Sequence, residues 1–141
     1  MPKWDWDAPR TKEGYYHFKG GIQAAIKRVK IFAPYSDLLW LETKTPDVAQ
    51  AQGFAAKIHQ DFPGKWLVYN LSPSFNWSAH GFSNEDLRNF VWDLGRAGFV
   101  FQLISLAGIH SIGATTCELS RRFQKDGMLA YVELIQRKEK E

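Results

Sequence analysis

A single cysteine, Cys117, stands in 141 residues. One thiol excludes an internal disulfide and a cysteine-rich metal site, and it fits a reducing compartment. Long hydrophobic runs are also missing. No stretch approaches the roughly 18 uninterrupted apolar residues of a membrane-spanning helix. The opening Met1-Pro2-Lys3-Trp4-Asp5 has no apolar core of a secretory signal. Charge of one sign is scarce: 18 Lys plus Arg stand against 15 Asp plus Glu, a net charge of +3. That balance is too even to argue for nucleic acid or a membrane surface as partner. Basic residues gather only at Arg137, Lys138 and Lys140, interleaved with Glu139 and Glu141, as in a solvated helix end. The histidines His17, His59, His80 and His110 are widely separated, without the spacing of a metal-ligand pair. No phosphate-binding loop of the P-loop type is present, and no internal repeat.

Aromatics are plentiful: 10 Phe, 6 Trp and 5 Tyr. With 45% hydrophobic residues, they support a sizeable core and exclude a disordered chain. The length suits one domain. Residues 1–19 show no clean period and read as an irregular surface segment. After Gly20-Gly21, which reads as a turn, Ile22, Ala25, Ile26, Val29 and Ala33 fall at helical spacing until Pro34. Asp37 to Glu42 is a short apolar run, as expected of a strand buried on both faces. Asp47 is a candidate N-cap for a second helix carrying Ala51, Phe54, Ala55 and Ile58, closed by Pro63-Gly64. Trp66 to Tyr69 reads as a second strand. Ser83, with Asp86 three residues on, starts a third helix bearing Leu87, Phe90, Val91 and Leu94. Phe99 to Ile104 reads as a third strand. A fourth helix is expected within 114–126, ended by Gly127, and 128–138 is read as a fifth.

Strands alternating with helices imply parallel β/α units with right-handed crossovers. Two α/β architectures fit: an open doubly wound sheet, or an arc of a (β/α)8 barrel. A whole barrel needs roughly 200 residues or more, so three strands would be only part of one. In such folds the working residues sit just past the carboxyl ends of strands. Those positions are Glu42-Thr43-Lys44, Asn70-Leu71-Ser72-Pro73-Ser74 and Ser105-Leu106-Ala107-Gly108. They offer a carboxylate, an ammonium, an amide and hydroxyls, a set suited to a small polyanionic ligand. Nothing in the spacing activates a serine as nucleophile. The plainer reading is that Ser and Asn after a strand only make turns or cap the next helix. Of the histidines, His59 is expected on an exposed helix face, and His110 behind the third strand end. Cys117 is expected near a helix start, as a small buried residue. Trp4, Trp6, Tyr15 and Tyr16 lack the basic neighbours of a base-stacking platform, so packing or a subunit contact is the simpler reading.

Four stretches carry a resemblance: Pro9 to Tyr16, Phe32 to Asp47, Tyr69 to Trp77 and Phe101 to His110. Together with Trp4-Asp5-Trp6-Asp7 and Gly127 to Leu134, they resemble isocitrate lyases of the eukaryotic, glyoxysomal type, within the isocitrate lyase/PEP mutase superfamily. The resemblance runs through essentially the whole chain. The related 2-methylisocitrate lyases share much of it, but the run from Ser72 to Gly81 reads closer to isocitrate lyase proper.

The resemblance implies a partial (β/α)8 TIM barrel, about the last three β/α units plus C-terminal helices, as one incomplete segment over 1–141. It implies Mg²⁺-dependent retro-aldol cleavage of isocitrate to succinate and glyoxylate, a homotetramer with helices exchanged between subunits, and a glyoxysomal, peroxisomal or cytoplasmic location. Asn70, Leu71, Ser72, Pro73 and Ser74 match a segment that binds substrate carboxylate. Ser105 matches a substrate-binding position that is usually Thr, so it keeps the hydroxyl and lacks a methyl. Glu42 matches an acidic active-site residue near the metal. The family's catalytic Lys-Lys-Cys-Gly-His motif is absent, and Cys117 does not replace it. The Mg²⁺-ligating aspartate and a Ser-Gly-Trp substrate segment are absent too, so neither a catalytic residue nor a direct metal ligand is assigned here. The expectation is that these 141 residues alone are inactive and prone to aggregate through bare strand edges. The alternative is a stand-alone, non-catalytic truncated relative that acts as an assembly partner.

Overall fold

A computed structural model describes residues 5–140. Residues 5–21 are irregular apart from one antiparallel bridge between Arg10 and Tyr16. Trp4, one of the four aromatics noted above, lies outside the described residues. Trp6 and Tyr15 are exposed, and the Tyr16 hydroxyl donates to the Trp6 carbonyl at 3.1 Å.

Helix α1 spans Ile22–Phe32, and Pro34 lies in a 3-10 turn over Ala33–Tyr35. Strand β1 is Leu38–Leu41 and helix α2 is Val48–Asp61. Asp47 caps α2, its side chain accepting from the Gln50 backbone at 2.9 Å. Strand β2 is Trp66–Asn70, followed by a 3-10 turn at Trp77–His80 and by helix α3 at Asn84–Arg96. The Ser83–Asp86 capping box is complete in both directions. Strand β3 is Phe99–Leu103.

The three strands are parallel in the order β1-β2-β3, so each crossover joins neighbours. Leu39, Leu41, Leu67, Tyr69 and Phe99 form one core with Ile26 of α1, Phe54, Ala55 and Ile58 of α2, and Phe90 and Leu94 of α3. Ring contacts extend this core: Tyr69 meets Phe99 edge-on at 5.5 Å and Phe90 at 6.1 Å.

The strands are not buried on both faces. The burial of β1 alternates, and Leu38, Trp40, Trp66 and Phe101 are 39%, 50%, 59% and 56% exposed. The pairing sets Leu38 beside Trp66, Trp40 beside Val68, and Val68 beside Phe101, so these residues share the face turned away from the helices. A register shift at Leu67/Val68 lets Val100 pass unpaired and keeps Phe101 on that face. An apolar run in the sequence cannot tell a covered face from an uncovered one, because both are written in the same residues.

The C-terminal part departs from its expected limits. Helix α4 starts at Ala107 and runs to Asp126, 20 residues with none buried. The sequence reading expects this helix only within 114–126. The helix enters instead through Leu106, which takes a left-handed φ of 64°. Cys117 therefore lies mid-helix and exposed, rather than buried at a helix start. Gly127 ends α4 as expected, and a short helix α5 over Met128–Tyr131 continues into a π turn at Val132–Gln136. Ala130 and Leu134, four residues apart, are its buried positions. Arg122 of α4 pairs with Glu133 at 2.5 Å and ties the two elements together.

His59 is half-buried rather than on an exposed face. Its Nε2 lies 2.8 Å from the Lys65 carbonyl, and its ring packs against Gly98.

Candidate functional site

The carboxyl ends of three neighbouring parallel strands open onto one edge of the sheet, which gathers residues distant in sequence. Glu42 stands one residue past β1. Two positions earlier on the same strand face is Trp40. Its indole Nε1–H donates to Glu42 Oε2 at 3.0 Å. Across the ladder, the Asn70 side-chain amide donates to Glu42 Oε1 at 3.1 Å. Each oxygen of the carboxylate is thus held by a separate neutral N–H. Thr43 Oγ1 lies 3.2 Å from the hydroxyl of buried Tyr69, which fastens the start of the β1–α2 loop to β2.

The second strand end turns sharply. Leu71 is buried, and its backbone N–H donates to the Leu103 carbonyl at 2.8 Å, linking it to β3. Ser72 is buried as well. Its Oγ accepts from the Ser74 backbone at 3.2 Å, leaving the Ser72 O–H free to donate. Its carbonyl accepts twice, from the Phe75 backbone at 3.1 Å and from the Trp77 indole at 3.1 Å. Pro73 is half-buried, and Ser74 is exposed. This loop presents hydroxyls on a backbone fixed at several points.

The third end is less engaged. Ser105 is half-buried, two residues beyond Leu103, whose Cα pairs with that of Asn70. Among the described residues it makes no hydrogen bond to Glu42, Asn70, Ser72 or Ser74. His110 sits exposed in the first turn of α4, its backbone bonded to the Leu106 carbonyl at 3.0 Å. Lys44 is exposed.

One polar atom at this edge is unmatched. Asn70 Oδ1 is shielded from solvent and, among the described residues, has no hydrogen-bond partner. An unpaired acceptor costs about 1–3 kcal/mol, and such groups are rare in folded proteins. A ligand O–H would satisfy it. Among the described residues no group of three His, Cys, Asp or Glu side chains could hold a metal ion, and no helix is long and apolar enough to cross a membrane.

Sequence reading reaches Glu42, Asn70, Ser72, Ser74 and Ser105 from strand ends alone, and the structure brings the first two into contact. It misses the roles of Trp40 and Trp77. The signal for Trp40 is in the sequence, since residues i and i+2 of a strand share a face. For Trp77 there is none, because its approach depends on a 3-10 turn capped by Asn76.

Comparison with known proteins fits this arrangement. The chain is 64% identical over 137 residues to a mitochondrial 2-methylisocitrate lyase of Saccharomyces cerevisiae, which covers 97% of the chain and 24% of that protein. It is 58% identical to a mitochondrial 2-methylisocitrate lyase of Hypocrea atroviridis, again over 97% of the chain and 24% of the relative. Against an isocitrate lyase of Oryza sativa the identity is 48%, with the same shares covered. The chain therefore spans about a quarter of the length of these relatives. The family model described as the isocitrate lyase family matches residues 3–141. With its sheet edge, its polar strand ends and a match over nearly every residue, the chain belongs to the isocitrate lyase family.

Proposed function

We propose that this chain is the substrate-carboxylate-binding part of a lyase that cleaves 2-methylisocitrate to succinate and pyruvate. The observation that carries this is the grading of identities: 64% and 58% to two 2-methylisocitrate lyases against 48% to an isocitrate lyase. The local chemistry agrees. Leu103 and Val68 put apolar surface on the sheet face that carries Asn70, and Ser105 lacks the methyl of the family's usual Thr. Both features favour a substrate with one more methyl than isocitrate, against the run Ser72 to Gly81, which reads closer to isocitrate lyase proper.

In this reading Ser72 and Ser74 donate hydrogen bonds to a substrate carboxylate. Asn70 Oδ1 accepts the substrate hydroxyl, and Glu42, fixed by Trp40 and Asn70, faces the reacting carbons. Retro-aldol cleavage breaks the C–C bond between the carbinol carbon and its neighbour. The carbinol gives up its hydroxyl proton to a base and becomes the ketone of pyruvate, while the electrons of the broken C–C bond pass to the succinate carbanion, which a proton quenches. That negative charge needs electrostatic stabilisation. Mg²⁺ would supply it by Lewis-acid polarisation. The residues here fit only an outlying role, since Mg²⁺ takes six oxygen ligands and Glu42 offers a single carboxylate whose oxygens already accept from two N–H groups. The direct metal ligand and the proton donor belong to other parts of the polypeptide.

The helices cover one sheet face only, which favours an arc of a barrel over a doubly wound sheet. The unburied helix α4, with Ile109, Ile112 and Phe123 exposed, suits exchange between the subunits of a tetramer. The mitochondrial relatives favour that compartment over the peroxisome, which tagging and organelle fractionation would test.

The deciding experiment offers the full-length polypeptide that carries this segment both substrates with Mg²⁺. Pyruvate released with a kcat/KM at least tenfold above that for glyoxylate is expected. Equal or reversed preference would return the assignment to isocitrate.

A further inference from the structure

We infer that Trp77 is a positioning residue for the carboxylate-binding loop, setting the height of Ser72 and Ser74 above the sheet edge. The inference rests on the reading of that loop given above. Three observations lead to it. First, the Ser72 carbonyl receives the Trp77 indole N–H at 3.1 Å, the tie between this turn and an aromatic cluster beneath it. Second, the indole is itself immobilised. It meets Phe90 edge-on at 5.0 Å, Phe82 at 5.9 Å and Phe75 at 5.7 Å. Phe90 is a buried residue of α3, so the ring transmits the position of that helix to the loop. Third, Ser72 passes the constraint onward. Its Oγ accepts the Ser74 backbone N–H, so a shift of the Ser72 backbone moves both hydroxyls together.

Other neighbours cannot do this work. The Phe75 backbone bond to the same carbonyl is internal to the turn and does not anchor it to the body. Leu71 fixes only the first residue of the loop to β3. The Trp77 indole acts through a main-chain oxygen, two residues from Ser74, and needs no substrate contact.

The test uses the full-length lyase, with 2-methylisocitrate as substrate. Replacing Trp77 by β-(3-benzothienyl)alanine keeps ring size and packing and exchanges only the N–H for sulfur. Trp77→Phe removes the same donor with a smaller ring, and Phe82→Leu loosens the cluster while leaving the donor in place. A net hydrogen bond of ordinary strength predicts a roughly threefold to tenfold rise in KM for the first two variants, with kcat held within about twofold. Phe82→Leu is expected to lower the melting temperature with KM unchanged. If the benzothienyl protein has the KM of the unmodified enzyme, the inference fails. If the unmodified enzyme does not cleave 2-methylisocitrate at all, the loop reading fails instead. A KM rise in Phe82→Leu equal to that in the donor variants would show that packing alone sets the loop, which also overturns the inference.

Discussion

Asn70 and Glu42, 28 positions apart in sequence, meet across the first two strands with amide nitrogen and carboxylate oxygen 3.1 Å apart. The contact turns two strand ends into one site. Exchanging that amide for an acid should undo it. Asn70→Asp has nearly the same shape but loses the N–H donor and sets a second carboxylate beside Glu42 and an anionic substrate. Hydrogen bonds to charged groups contribute about 1.5–3 kcal/mol, so kcat/KM of the full-length enzyme should fall roughly 10- to 150-fold. Steady-state kinetics with little change in melting temperature is the expected result, and an unchanged kcat/KM would remove Asn70 from the site.

Gly98 precedes β3 with φ of 99°, and a Cβ there would come within 2.6 Å of the His59 ring. Its carbonyl also receives the Leu67 backbone N–H at 3.1 Å. Gly98→Ala should therefore lose on the order of 2–4 kcal/mol from left-handed strain plus overpacking. Urea denaturation measures it. The double variant with His59→Ala should recover the overpacking part and leave the backbone strain, a non-additive outcome.

The Asp86 carboxyl is held below its ordinary value of 3.8, first by the Ser83 hydroxyl and then by the Ser83 backbone N–H. A depressed folded-state value means that the carboxylate favours the folded state above the unfolded value, and that this contribution is lost as pH falls through the lower folded value. Acid titration below about pH 4 should thus fray the start of α3. Asp86→Asn should flatten this part of the pH dependence, as followed by helical circular dichroism. An identical acid profile in the variant would count against the capping box as its source.

The face bearing Leu38, Trp40, Trp66 and Phe101 presents apolar surface beside two strand edges that are unpaired among the described residues, a combination that invites association. The 141 residues produced alone should self-associate in light scattering, bind a hydrophobic dye, and release neither pyruvate nor glyoxylate. Trp66→Lys with Phe101→Lys should lower the apparent mass. A sharply melting monomer of the unaltered chain would overturn this expectation.

Much of the layout was legible in residues whose physics is local. Asp47 and Ser83 announced their helices because a cap needs only a side-chain oxygen three residues before a free N–H. Strand ends pointed to Glu42, Asn70, Ser72 and Ser105 because parallel β/α units leave few other places for chemistry. What stayed hidden depends on the environment. Whether Trp40 faces a core or an opening is decided by what lies across the sheet. The early start of α4 depends on Leu106 accepting a conformation that its side chain disfavours. Cys117 was misplaced with it, since its surroundings follow from where that helix begins.

The strand order has a consequence for how the chain gathers itself. β1 and β3 each touch β2 and not each other, so neither outer strand has a template until Trp66–Asn70 is in place. Each ladder joins strands that are successive in the chain, which keeps the entropic cost of closing each loop small. Damage is distributed in the same uneven way. A break in β2 severs two ladders and both halves of the site, whereas a break in β1 or β3 leaves a paired remnant.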